Sequence, residues 1–136
     1  MAPIALAVIA FTMTAFQLVF LIDSGRRTEF SAKAIATFLL QQPEAQGAQP
    51  RVITDKPIWL NMTSGLPTLA LPAQSPEVVL KLAHDQGATL ILVAEQRGGY
   101  PASFRSGALA SCFVERPRPD YVPVVTTLFA IAEACR

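Results

Sequence analysis

The sequence predicts a small α/β domain carried on one N-terminal transmembrane helix. Three observations predict it: an uncharged apolar start, a strand-helix-strand grammar in the middle of the chain, and short β-branched runs separated by proline and glycine. The 136 residues suit one small domain plus one accessory segment. We divide them into a transmembrane helix over 1–22, an exit helix and loop over 23–50, and an α/β domain over 51–136.

From Met1 to Ile22 no side chain is charged, and "APIALAVIAFTMTAFQLVFLI" has about the 20 residues that a spanning helix needs. A cleaved signal peptide would carry a basic start and a shorter apolar run, of about 7 to 15 residues. A buried helix of a globular protein would show a polar stripe. Here only Thr12, Thr14 and Gln17 interrupt the apolar surface, and a threonine hydroxyl can return to the helix backbone.

The whole chain is 51% hydrophobic and 15% charged, and its 11 basic and 10 acidic side chains nearly cancel. That balance excludes the basic footprint of a nucleic-acid binder. Arg26, Arg27 and Lys33 follow the apolar run closely, so the positive-inside rule taken alone puts the following domain in the cytoplasm.

"TEFSAKAIATFLLQQ" spaces Ala34, Ile35, Phe38 and Leu39 as one narrow apolar helical face. "PEAQGAQP" (43–50) reads as a loop, and "RVITD" (51–55) as a β-branched strand. "DKPIWLNMTSGLP" then reads as a turn-rich bridge in which Gly65 permits a positive φ and Trp59 covers an open sheet end. "TLALP" (68–72) is a second strand, closed by Pro72. In "SPEVVLKLAHDQG" Ser75 caps, Pro76 takes the first helical turn and Gly87 closes the end. "ATLILVAE" is a strand covered on both sides, which completes a βαβ unit with parallel strands. "QRGGYPASFRSGALAS" is a loop with room for one helical turn. "CFVE" and "PVVTTLFAIAEAC" add strand material, although the last segment also fits a helix. The sum is a three-layer-like βαβ domain with a mixed sheet of four or five strands.

Few residues offer chemistry. Asp55 ends a strand, where α/β folds commonly hold ligands, but Lys56 and Pro57 after it suggest a salt-linked turn. His84, the only histidine, shares a helical face with Lys81 and Asp85 and has no Ser or Cys partner nearby, so it reads as solvated. Gly98 and Gly99 lack the spacing of a phosphate-binding loop. "NMTS" (61–64) fits the N-glycosylation pattern, which has meaning only in a eukaryotic secretory context. The catalytic, metal and cofactor assignments are therefore none.

The succession of a membrane helix, an exit helix, "RVITDKP", an aromatic bridge with glycine, "LALP" and "PEVVLKLAHDQGATLILV" resembles the C-terminal region of multi-pass glycosyltransferases that use polyprenyl-phosphate sugars. These are the relatives of dolichyl-phosphate-mannose mannosyltransferases and lipid-A aminoarabinose transferases. The resemblance implies a last transmembrane helix followed by a small extracytoplasmic α/β domain. Trp59 and Leu60, Ser64 and Gly65, and Pro72 stand at the family's aromatic pair, turn and closing proline. Leu66 stands where arginine often follows the turn glycine, so a polar contact there is not carried over. The family's acidic catalytic residues lie near its first membrane helices, outside a chain with one such helix.

The resemblance therefore implies a non-catalytic piece that caps a membrane cavity and shapes acceptor access. Its candidate contacts are Trp59 and, in the 96–107 loop, Arg97, Tyr100 and Arg105. Its partners would be the lipid bilayer and the remaining helices of a transferase, with no nucleic acid. A single-pass anchored interaction domain is the alternative. Cys112 and Cys135 read as two buried free thiols, or as a disulfide if the terminal segment is a strand beside that of Cys112. A disulfide would support the extracytoplasmic side against the positive-inside count.

Overall fold

The computed structural model describes residues 2–47, 50–95 and 99–136, with the side chains of residues 2–11, 26 and 27 outside the described set. Two compact units divide the chain, Met1–Ser31 and Ala32–Arg136. Helix α1, Ala2–Leu40, begins in the first and ends in the second, so the apolar run and the expected exit helix are one continuous backbone helix.

In the first unit Met13, Phe16, Leu18, Val19, Phe20, Leu21 and Ile22 are all exposed. Among the described residues no helix is long and apolar enough to cross a membrane. The expected transmembrane helix is thus not shown, and the first half of its side chains lies outside the described set.

The second unit is built on five strands: β1 (Val52–Thr54), β2 (Thr68–Ala70), β3 (Leu90–Val93), β4 (Phe113–Glu115) and β5 (Thr127–Ile131). Their order is β2-β1-β3-β5-β4. The first three run parallel, with Ile53 paired to Leu69 on one side and to Ile91 on the other. β5 runs antiparallel to both of its neighbours, pairing Phe129 with Ile91 and Ile131 with Phe113. The terminal segment that fitted either strand or helix is β5, followed by a short 3-10 turn at Glu133–Cys135.

Three further helices connect the strands: α2 (Pro57–Ser64), α3 (Pro76–Gln86) and the four-residue α4 (Ala102–Arg105). The turn-rich bridge is therefore a helix, and its punctuation sits at its two ends. Pro57 occupies the first turn, where a missing N–H costs nothing. Gly65, at φ 71°, donates its N–H to the Asn61 carbonyl at 2.8 Å and stops it. Helix α3 ends in the same way at Gly87, φ 64°, where Ala88 N–H reaches back to the Ala83 carbonyl at 2.8 Å. Ser75 holds the N-cap backbone position of α3 without a capping side-chain bond. Its hydroxyl instead holds the Glu77 carboxyl below the usual carboxylate range, with the Glu77 backbone amide helping.

Alternation along the strands sorts the core into two faces. Val52, Leu90, Leu92, Leu128 and Ala130 pack with Ile35, Phe38 and Leu39 of α1 and Leu60 of α2. Ile53, Ile91, Val93, Phe129 and Ile131 pack with Val79 and Ala83 of α3 and Phe104 of α4. Because both faces are covered, β1, β3 and β5 are buried along their whole length, and their sequences are nearly continuous apolar runs.

Candidate functional site

The chain leaves β1 toward β2 through α2, then returns over β1 to β3 through α3. The carboxyl ends of β1 and β3 are thus the topological switch point, the usual ligand position of an open parallel sheet. Here that end is closed from within. Both carboxylate oxygens of Asp55 accept backbone N–H groups that follow β3, from Ala94 at 2.8 Å and from Glu95 at 2.9 Å. The buried Thr54 hydroxyl donates to Asp55 at 3.3 Å and accepts the Lys56 N–H at 3.2 Å. Lys56 Nζ pairs with Glu95 at 2.9 Å.

The expected Asp55–Lys56 salt-linked turn is corrected by this geometry. Strand-end amides have no ladder partner, and a carboxylate accepting two of them satisfies both with charge-assisted bonds. An anionic ligand seeking the same N–H groups would meet a carboxylate already bound to them.

The candidate contact residues do not form one site. Trp59 is half-buried on α2 and packs on the aliphatic face of the sheet. Tyr100 packs on the opposite face, its ring stacked on Phe104 with centroids 4.7 Å apart. Its hydroxyl is placed against the carbonyl oxygens of Pro72, at 2.9 Å, and of Gln74, so it fastens the loop after β2 to the start of α4. Burial pushes the Tyr100 phenol above its ordinary pKa, and the Gln74 carbonyl bond works in the opposite direction. Arg105 is committed too. Its guanidinium forks onto the Glu115 carboxylate with two bonds of 2.7 Å, which hold Glu115 below the usual carboxylate range and raise Arg105. Arg97 lies outside the described residues, as does Gly98.

Cys112 and Cys135 are not free thiols. They form a disulfide with an S–S distance of 2.10 Å and a Cα separation of 5.6 Å. The antiparallel pair Phe113 and Ile131 brings them together, and Ala132 N–H donates to the Cys112 carbonyl at 2.9 Å. That pairing requires β5 to be a strand, which the sequence left open.

His84 is exposed, with Nδ1 3.5 Å from Asp85. The Asp85 carboxyl is held low by Lys81 first and His84 second. Beside them a cavity of about 110 Å³ touches Thr89 and Cys135. Ligand pockets usually enclose about 300 to 1,000 Å³, so it is too small for a sugar unit with its carrier. Asn61 and Thr63 of the "NMTS" stretch sit on α2 with their side chains bonded to backbone, Asn61 Nδ2 to Leu66 O at 2.8 Å and Thr63 Oγ1 to Trp59 O at 2.6 Å. Among the described residues no group of three His, Cys, Asp or Glu could hold a metal ion.

Sequence reasoning missed two further contacts. Arg116, just past β4, pairs with Glu44 in the 3-10 turn Pro43–Gln46 after α1, and Tyr121 donates to Gln41 at 3.0 Å. Partners 72 and 80 residues apart leave no local signal.

No family model matches the chain, and no curated protein matches it. A similar solved structure is the C-terminal globular domain of an oligosaccharyltransferase from Archaeoglobus fulgidus. It shares 11% sequence identity at a TM-score of 0.45, over 72% of this chain and 94% of that one. A likeness at that level is too weak to assign a function.

Proposed function

We propose that this chain is a non-catalytic, membrane-anchored domain of a lipid-linked-sugar glycosyltransferase. The observation that carries the non-catalytic reading is the closed switch point: Asp55 occupies the strand-end amides that a ligand of this fold would use. The transferase reading rests on the ordered resemblance from "RVITDKP" to "ATLILV" and on the mixed α/β sheet that those segments build. The apolar run of residues 2–22 is the anchor. The Cys112–Cys135 disulfide favours an oxidising, extracytoplasmic side over the one that the positive-inside count gives.

Within this reading the element that meets the membrane-embedded part of the enzyme is α2. Beside the half-buried Trp59 it exposes Ile58 and Met62, which are 77% and 80% accessible and one helical turn apart. Tyr100 and Arg105 are already bound within the domain and contribute no surface of that kind. Capping of the cavity and control of acceptor access would follow from α2 covering its mouth.

The test is complementation. Supplying this chain to a transferase that lacks its own C-terminal domain should give a complex that co-purifies and regains transfer, and Ile58→Asp with Met62→Asp should abolish both. Neither association nor transfer would overturn the proposal. A second reading, a single-pass anchored interaction domain, is favoured by the same exposed α2 pair without a transferase partner. The native mass separates the two: an antibody to residues 51–95 would detect a band several times larger than 14.6 kDa if the domain is part of a multi-pass enzyme, and one at 14.6 kDa if it stands alone.

A further inference from the structure

The Cys112–Cys135 disulfide has two unlike ends. Cys112 is 6% exposed and belongs to the core cluster of Phe104, Phe113 and Phe129. Cys135 is half-buried at the margin of that cluster, on the three-residue 3-10 turn Glu133–Cys135. That turn is closed by local backbone bonds, from Cys135 N–H to the Ala132 carbonyl at 2.9 Å and from Arg136 N–H to the Glu133 carbonyl at 3.3 Å. The cavity of about 110 Å³ beside α3 lies against Cys135 and is not lined by Cys112. A space that would hold a few waters also holds a thiol and the methylene behind it.

The wall of this cavity suits an anionic sulfur. His84 and Arg136 line it, and Arg136 Nε donates to the Ile131 carbonyl at 2.9 Å, which fixes the guanidinium there. Asp85, next to His84, is engaged by Lys81 at 3.1 Å. The carbonyls at the end of α3 are occupied, that of Ala83 by Ala88 N–H and that of His84 by Gly87 N–H, which mutes the negative pole of the helix. Thr89, in the same wall, has a buried hydroxyl without a partner among the described residues, so a donor is left for whatever enters. Disulfide exchange needs a thiolate and a path to one of the two sulfurs. A basic cavity that opens on Cys135 alone meets both needs.

We propose that Cys112–Cys135 is a thiol-exchange site, which an external dithiol enters at Cys135 through this cavity. The first thiolate bonds to Cys135 Sγ as the Cys112–Cys135 bond breaks, and the electron pair leaves on Cys112 Sγ, which takes up a proton. The second thiolate of the dithiol then attacks the sulfur of the first, closes the dithiol's own disulfide and releases Cys135 as a thiolate. The chain ends with two thiols, and the dithiol is oxidised by two electrons. The apolar surround of Cys112 disfavours a charge there, which slows the first step. The same surround keeps the proton on the released sulfur, so Cys112 is slow to attack back. Reduction unties the 3-10 turn from the start of β4 while the ladder that joins Phe113 to Ile131 persists. Nothing in the site involves a sugar or a bilayer, so it does not depend on the transferase reading.

The experiment treats the oxidised full chain, under native conditions, with reduced glutathione, a small anionic thiol. Acid stops the reaction at early times, and peptide mass locates the glutathione. Cys135 should carry it about tenfold more often than Cys112, because access selects the sulfur attacked. Dithiothreitol, a dithiol, should go on to release both thiols without denaturant. In denaturant the two cysteines should share the glutathione equally. His84 is 68% accessible, so substitutions there spare the fold. His84→Glu sets an acid on the cavity wall and should slow the native reaction with glutathione about two- to fivefold, whereas His84→Gln should not. Glutathione shared equally in the native chain, reduction that waits for denaturant, or a His84→Glu rate equal to that of the parent would overturn the proposal.

Discussion

The two faces of the sheet are covered in different ways. One face is covered by helix, the last turns of α1 and the Trp59–Leu60 side of α2, which set Phe38, Leu39 and Leu60 against Leu92 and Leu128. The other face shares its cover between α3 and the four-residue α4, which is too short to persist on its own. The first face has side-chain ties of its own, Arg116 to Glu44 and Tyr121 to Gln41, and on the second the protein adds stacked rings and a covalent link. Phe104 meets Tyr100, Phe113 and Phe129 with centroids 4.5 to 5.3 Å apart, Tyr100 ties the neighbouring loop, Arg105 forks onto β4, and a disulfide closes the edge. Where helical cover is short, side-chain cross-links do the holding.

The largest expected effect breaks this contrast at its centre. Phe104 is fully buried and packs against three rings, so Phe104→Ala should cost about 3–5 kcal/mol in urea unfolding. Leu39→Ala on the helical face removes an equally buried side chain and should cost about 2–5 kcal/mol, without loosening α4. Hydrogen exchange after the first substitution should rise in residues 99–105 before it rises in β1. Equal, uniform loss of protection in both variants would refute the idea that the second face hangs on its aromatic cluster.

Next in size is the disulfide, which closes a loop of 23 residues and by loop-closure entropy contributes about 3 kcal/mol. Reducing agent, or Cys112→Ser with Cys135→Ser, should lower the melting temperature while β1, β2 and β3 keep their pairing. A chain whose stability does not respond to reductant would show that the β4 and β5 edge is held by its ladder alone. Asp55 is smaller again. Asp55→Ala leaves two strand-end amides without their acceptor and should cost about 1–3 kcal/mol. The same variant opens the switch point, so a phosphate or nucleotide that stabilises Asp55→Ala and not the parent chain would reveal a latent anion site beneath the carboxylate.

How much of this was legible in the sequence depends on how far apart the deciding residues lie. Helix α3 was legible because Pro76 and Gly87 bracket it and its apolar residues repeat at helical spacing. Helix α2 carries the same brackets, Pro57 and Gly65, but eight residues with Trp59 and two β-branched positions give a weak period, and the segment reads as turns. The sheet's strands were legible as apolar runs, but not their order, since β5 enters between β3 and β4 from the chain's far end. At the switch point Asp55 was visible as a strand-end acid. Its partners stand 39 and 40 residues downstream, so the nearby Lys56 drew the reading instead. Trp59 and Tyr100 fall on opposite faces of the sheet for a related reason: proximity to a loop says nothing about which face of the sheet a side chain joins.

The smallest expected effect tests whether the Arg105–Glu115 fork belongs to the cross-links at all. Both side chains are 42–48% accessible, and ion pairs that exposed are worth about 0.2–1 kcal/mol. Glu115 has its pKa depressed by Arg105 in the folded state, so its contribution is present above the unfolded carboxylate pKa of about 4.3 and is lost as pH falls through the lower folded value. Arg105→Met should therefore cost a few tenths of a kcal/mol at neutral pH and nothing in strong acid, and 1 M salt should shrink even the neutral-pH cost. A cost that persists unchanged into acid would mean that the stem of Arg105 matters by packing. The fork would then drop out of the list of bonds that hold α4, leaving the aromatic cluster, the Tyr100 clasp and the disulfide to account for that face.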